Sequence, residues 1–232
     1  MLGKGIYTPA DAASLLKAPA DEVRRWAFGY SRVRDGERVR YPALIRTELP
    51  EIDGQRALTF IELVELMYIK AFRQAGAPWH LIDEAASVAA RMMDTEHPFA
   101  TRTFFADPHG IYALLDEAQG NASLVALVGH GQHAFQPIVQ PYLGQLDFDP
   151  ADVPTRWWPL GRENGVVVDP QVSFGAPVLA DAGIPTRTLA DVYAGEQEYD
   201  ASRALNRVAS MYRITPAQVE RAVQFEDWRA AA

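Results

Sequence analysis

A chain of 232 residues, 48% apolar and 22% charged, has the make-up of a globular protein and is long enough for one large domain or two small ones. It contains no cysteine, which excludes disulfides and thiolate zinc sites, and its longest apolar runs, such as ASLVALVG, are too short to cross a bilayer. The net charge of -8 argues against nucleic-acid binding by the whole surface, yet it is uneven: residues 1–46 hold nine Lys/Arg against five Asp/Glu, and the remainder 13 against 25.

A basic end on an acidic body suits a protein that touches nucleic acid with one end and a protein partner with the other; chance clustering of surface charge is the alternative. The first residues, MLGKGIYTPAD, have neither the apolar stretch nor the cleavage site of a secretory signal, so the expected location is the cytoplasm, with no membrane association.

In YTPADAASLLKAPADEVRRW, Thr8 and Pro9 form an N-cap and first-turn pair, and Ala12, Ala13 and Leu16 share a face. Pro19 and Asp21 open a second helix with Val23 and Trp26 turned inward. Only the turn KAP separates the two, which is helix-turn-helix spacing. In SRVRDGERVRY, Asp-Gly between short alternating segments predicts a hairpin, and a hairpin placed there is a wing. Arg32, Arg34, Arg38 and Arg40 recur at even positions, so all four are expected on one face of the ribbon.

Thr59 and Glu62 form a capping box before an amphipathic helix that ends at Gly76, with Phe60, Leu63, Leu66, Met67 and Ala71 as its stripe. A further helix follows Pro78. Residues 95–133 read as three short strands, and QPIVQPYLGQL as a short helix or turn. Pro, Asp and Gly mark DFDPADVPTRWWPLGREN as a boundary, giving a first domain over 1–150, a linker over 151–165 and a second domain over 166–232. Three helical runs close the chain, with Gly195 as a stop and with Asp200 and Thr215–Pro216 as caps. The fold class is therefore mainly α with small β elements: an N-terminal winged helix-turn-helix with added helices and a small sheet, then a three-helix domain.

Arginine grips phosphate and reads guanine edges bidentately, so Arg24, Arg25, Arg32, Arg34, Arg38 and Arg40 are the expected DNA contacts, with Lys17 at the turn as a lesser one. The competing reading is a solvated basic face on a protein-binding winged helix. Near the last helices, Arg203, Arg207, Arg213 and Arg221 are countered by Glu220, Glu226 and Asp227, which favours protein contact there. Catalytic signals are weak. His130 and His133 lie near a strand end with no Glu or Cys to complete a ligand set, and Asp147, Asp149 and Asp152 lack the Gly and distal Glu of a calcium loop. FGAPV has one Gly and no Lys-Ser/Thr after it, so it is no phosphate loop, and DPQVSFGAPVLADAGIPT reads as a rigid lead-in to the last domain. No cofactor or metal is expected.

That segment and its continuation also carry a resemblance. Asp169, Pro170, Gly175, Pro177, Val178, Ile184, Pro185, Thr186, Gly195, Ile214, Thr215, Gln218, Val219 and Ala222 resemble the pattern of a small bacterial domain known as domain of unknown function four-three-three. The chain departs from it at Ala176, where a basic residue is usual. With YTPADAASLLKAPADEVRRW resembling a MerR-type helix-turn-helix, the layout resembles VapB-type antitoxins of type II toxin–antitoxin systems. This resemblance implies operator binding by the N-terminal domain, neutralisation of a PIN-like ribonuclease toxin, autoregulation of the operon, a homodimer, and no enzymatic activity. Two alternatives stand beside it. One is a MerR-like ligand-responsive regulator without a toxin partner, with a pocket among Trp79, Phe104, Phe105 and Tyr112; the other is a hydrolase using His130 or His133.

Overall fold

The computed structural model describes residues 3–51, 54–100, 104–107, 110–116, 122–129 and 144–231. They fall into two compact units. One comprises Tyr7–Gly144 and Phe148–Pro154; the other comprises the chain up to Ile6, Gln145–Asp147 and Thr155–Ala232.

The first unit begins with α1 (Pro9–Leu16) and α2 (Ala20–Phe28). Thr8 caps α1 through a capping box with Asp11, its Oγ1 accepting from Asp11 N–H at 3.1 Å while the Asp11 carboxylate accepts from Thr8 N–H at 3.1 Å. Lys17 ends α1 in the left-handed conformation, φ 52°, and the chain turns at once into α2, which buries Val23, Trp26 and Ala27. The hairpin follows as β1 (Tyr30–Arg34) and β2 (Glu37–Tyr41), closed by Asp35 and Gly36 at φ 53° and 84°. Two consecutive positive φ values define the type I′ turn that matches strand twist, which is why Asp-Gly sits there.

The hairpin corrects one expectation. Its register pairs Arg32 with Val39, Val33 with Arg38, and Ser31 with Arg40. A two-residue turn pairs each even position with an odd one, and directly paired residues share a face. Arg32 and Arg34 therefore lie on one face with Tyr30, Glu37, Val39 and Tyr41, while Arg38 and Arg40 lie on the other with Ser31 and Val33.

Helix α3 (Phe60–Gln74) starts at the Thr59–Glu62 capping box and is buried far more widely than its stripe implies. Val64, Tyr68, Ile69 and Phe72 are enclosed, as are Glu62 and Glu65. It is the axis of the unit, with α1, α2 and α4 (Trp79–Met93) packed on it. The three expected strands are β3 (Phe104–Asp107), β4 (Gly110–Asp116) and β5 (Ala122–Gly129), an antiparallel sheet in that order, with α4 against β4 and β5. Residues 136–143 of QPIVQPYLGQL lie outside the described residues.

In the second unit, part of the segment expected as a linker is regular structure. Strands β6 (Leu146–Phe148), β7 (Pro154–Trp157), β8 (Val166–Val168) and β9 (Pro177–Leu179) make a sheet in that order, with Trp157 buried. Asp149, which belongs to the first unit, does form turns, its Oδ1 accepting from Ala151 and Val153 N–H at 2.9 Å each. The chain's start joins this unit, Ile6 N–H donating to the Phe174 carbonyl at 2.9 Å. The Gly- and Pro-rich stretch 169–186 contributes β9 and leads into the helices, with Gly175 and Gly183 at φ 87° and 66°.

Three helices then pack together: α5 (Thr186–Asp200), α6 (Ala204–Tyr212) and α7 (Pro216–Ala230). Thr215 caps α7 through a capping box with Gln218. Gly195 does not stop α5, which runs through it to Asp200. Asp200 caps no helix either: its Oδ1 accepts from Ser202 N–H at 3.1 Å, within the turn between helices. No helix among the described residues is long and apolar enough to cross a membrane.

Candidate nucleic-acid interface

The seven basic residues singled out in the sequence are arranged in four groups around α2 and the hairpin. Arg25 is exposed and its guanidinium lies 5.6 Å above the Tyr30 ring, which stacks on Tyr41 at 4.5 Å and meets Trp79 edge-on. Since Tyr30 and Tyr41 occupy the ribbon face of Arg32 and Arg34, Arg25 joins those two. The aromatic stack is the base that fixes the ribbon against the helices. Arg38 and Arg40 project from the opposite face, and both faces are exposed over most of their length.

Arg24 lies on the other flank of α2, in the wall of an open cavity of about 600 Å³ shared with Thr8, Pro9, Phe28 and Arg56. Arg56 is not marked by the sequence pattern; it stands over the Phe28 ring at 5.0 Å and reaches Glu51 at 3.7 Å. It comes from a loop distant in sequence from the helix pair, so no local signal points to it. Lys17, finally, faces a separate cleft with Lys70 and Arg73 of α3.

Electrostatics separates these arginines from those at the far end of the chain. Arg24, Arg32, Arg38 and Arg40 form no ion pair among the described residues, and Arg34 has only the exposed Asp35 at 3.8 Å. By contrast Arg207 pairs with Glu196 at 3.1 Å, Arg203 with Asp200 at 3.7 Å, and Arg221 with Asp181 at 3.8 Å. Cations without internal carboxylates keep their full field for an external anion.

The first unit also holds a network that the sequence does not reveal. His97 Nδ1 is 2.9 Å from Glu65 Oε2 and its Nε2 is 2.9 Å from Glu48 Oε1. Both ring nitrogens donate to carboxylates, so the imidazolium form is held, and the His97 pKa is raised to about 9, chiefly by the Glu65 hydrogen bond. Burial pushes Glu65 and Glu62 upward in turn, partly offset by His97 and by N–H groups of Phe99, Thr59 and Glu48. This network ties the irregular segment that follows the hairpin, at Glu48, to the central helix α3.

His130 and His133 lie outside the described residues, as do the side chains of Phe104, Phe105 and Tyr112, whereas Trp79 packs against Tyr30. Asp147 accepts from Trp158 Nε1 at 2.9 Å and from Arg162; burial, the largest single influence, acts upward, but the Trp158 hydrogen bond first, then Arg162 and a nearby Arg156, hold its carboxyl below the usual range. No group of three or more His, Asp or Glu side chains suited to a metal ion occurs among the described residues.

Three similarities to known proteins bear on this geometry. Residues 5–86, which include α1, α2, the hairpin and α3, match the family described as "Putative DNA-binding HTH domain". The chain is 28% identical over 227 residues to "Putative antitoxin VapB45" of Mycobacterium tuberculosis, an alignment spanning 94% of this chain and 92% of that protein. The crystal structure of Rv2018 from Mycobacterium tuberculosis superposes with a TM-score of 0.60 at 21% identity, covering 94% of this chain and 96% of that one, and so shares its fold. Residues 5–86 of this chain thus form a helix-turn-helix domain, and nearly the whole chain is similar in sequence to a protein named as an antitoxin.

Proposed function

We propose that this protein is a DNA-binding antitoxin that neutralises a PIN-like ribonuclease toxin, represses its own operon as a homodimer in the cytoplasm, and catalyses no reaction. One observation carries the DNA reading: a helix-turn-helix that matches a DNA-binding family bears, with its hairpin, exposed arginines left without internal counter-ions. The similarity to a protein named as an antitoxin, nearly end to end, supports the toxin reading. So does charge, because a ribonuclease surface that holds RNA is basic and the body of this chain is acidic. The resemblance of residues 169–222 to the small domain of unknown function four-three-three supports a partner contact through the second unit.

Arginines on both faces of the ribbon change how the hairpin would meet DNA. A ribbon basic on one face would lie flat on a backbone, whereas one basic on both faces suits insertion edge-on, with a phosphate strand on either side, as in a minor groove. The antitoxin function is tested with the neighbouring reading frame. Its PIN-like product, expressed alone, should arrest growth and cleave RNA, and co-expression of this chain should restore growth and bring the two down as one complex. A neighbour that is not a ribonuclease, or a ribonuclease still active in the presence of a molar excess of this chain, would refute it.

A further inference from the structure

A cleft of about 270 Å³ opens at the turn between α1 and α2, lined by Lys17, Ala18, Pro19, Glu22, Trp26, Lys70, Arg73 and Gln74. Its walls carry cations from two separate places in the chain: Lys17 from the turn, and Lys70 and Arg73 one helical step apart on α3. Glu22 is its one carboxylate, exposed at the start of α2, so the cleft keeps an excess of positive charge.

The α3 cations are held in place rather than waving in solvent. Lys70 Nζ donates to the Leu16 carbonyl at 2.5 Å, and Arg73 Nη1 donates to the Ala77 carbonyl at 2.6 Å. Neither bond cancels charge, because both acceptors are neutral. Burial lowers the Lys70 pKa, and the adjacent Lys17 lowers it further. Like charges gathered in a half-buried cleft carry an electrostatic cost that an anion entering the cleft would remove. The Trp26 side chain in the wall lowers the local dielectric and strengthens that attraction.

We propose that this cleft is a phosphate-binding site and, resting on the DNA-binding reading above, that its occupant is a phosphodiester of the operator backbone. Its position beside the helix-turn-helix turn places it where a phosphate contact would fix the register of α2 without reading bases. The same chemistry would accept a phosphate group of a small ligand, and the experiment separates the two sources.

In the first arm, inorganic phosphate is titrated into the protein at constant ionic strength against chloride, following amide shifts of Ala18, Lys70 and Gln74 by NMR. In the second arm, operator affinity is measured across salt concentration. Both arms use wild type, Lys17→Gln and Lys70→Gln, with Arg73→Gln as a third variant that spares the Lys70–Leu16 bond, each checked for native circular dichroism. The expected result is saturable phosphate shifts in wild type that vanish in the variants, and a slope of log K against log salt that is shallower by about one in each variant. Saturable shifts with an unchanged DNA slope would keep the site but overturn the operator phosphate as its occupant. A reduced slope without detectable free-phosphate binding supports the operator phosphate alone. No saturation and an unchanged slope would overturn the site. Wild-type protein that fails to bind its operator at all defeats the DNA reading, and the first arm then decides the site by itself.

Discussion

Gly29 shows how a single residue sets the direction of the candidate interface. It ends α2 at φ 69° and ψ 178°, a region open to glycine almost alone, and a Cβ there would stand 2.6 Å from the Tyr41 carbonyl oxygen and 2.9 Å from Ala43 N. Gly29→Ala should therefore destabilise the first unit by about 2 kcal/mol and displace the hairpin, a cost that urea denaturation measures. His97 acts at the same scale through charge. Its pKa is raised from 6.5 to about 9, so the stabilisation it gives is complete below pH 6.5 and is lost as pH rises toward 9. Glu62 and Glu65, also raised, lower stability in the same direction from pH 4.5 upward, so a variant is needed to separate the contributions. Urea midpoints from pH 6 to pH 9.5 should fall more steeply for wild type than for His97→Gln. His97→Ala, which leaves the Glu65 carboxylate buried beside Phe99 N–H alone, should cost about 3–5 kcal/mol near neutral pH. Equal slopes in wild type and variant would remove His97 as the titrating group.

At the scale of elements, helix starts are readable where a short-range rule decides them. Thr8, Thr59 and Thr215 each stand before a helix and each makes the capping hydrogen bond that its spacing implies. Gly195 misleads because an interior glycine weakens a helix by only about 1 kcal/mol, which packing of α5 on α6 and α7 readily offsets. The ribbon faces mislead for another reason: even spacing along one strand is preserved, but a two-residue turn inverts it on the next. The burial of Glu62 and Glu65, and the convergence of Lys17 with Lys70 and Arg73, depend on contacts far apart in sequence and leave no periodic trace. The ribbon geometry makes its own prediction. Arg32→Ala with Arg34→Ala, and Arg38→Ala with Arg40→Ala, should each weaken operator binding by about tenfold or more and reduce the salt slope by about two. If only one pair mattered in mobility shifts, the hairpin would lie flat on DNA and edge-on insertion would be wrong.

For the whole molecule, the charge is uneven, with a basic start and an acidic remainder, and the basic residues of the start lie on and beside the helix pair and hairpin that match a DNA-binding helix-turn-helix family. What composition conceals is that the second unit carries a four-stranded sheet beside its three helices and draws in the chain's first residues. Its strands are only three or four residues long and lie between Pro and Gly, a pattern that resembles loop sequence. The central claim, that the arginines around α2 and the hairpin bind operator DNA, is tested most directly by operator affinity as a function of salt. Wild type should show a steep linear fall of log K with log salt, and Arg24→Ala, Arg25→Ala, Arg34→Ala and Arg38→Ala combined should bind weakly with a slope shallower by about three to four. Unchanged affinity and slope in the natively folded quadruple variant would contradict the claim.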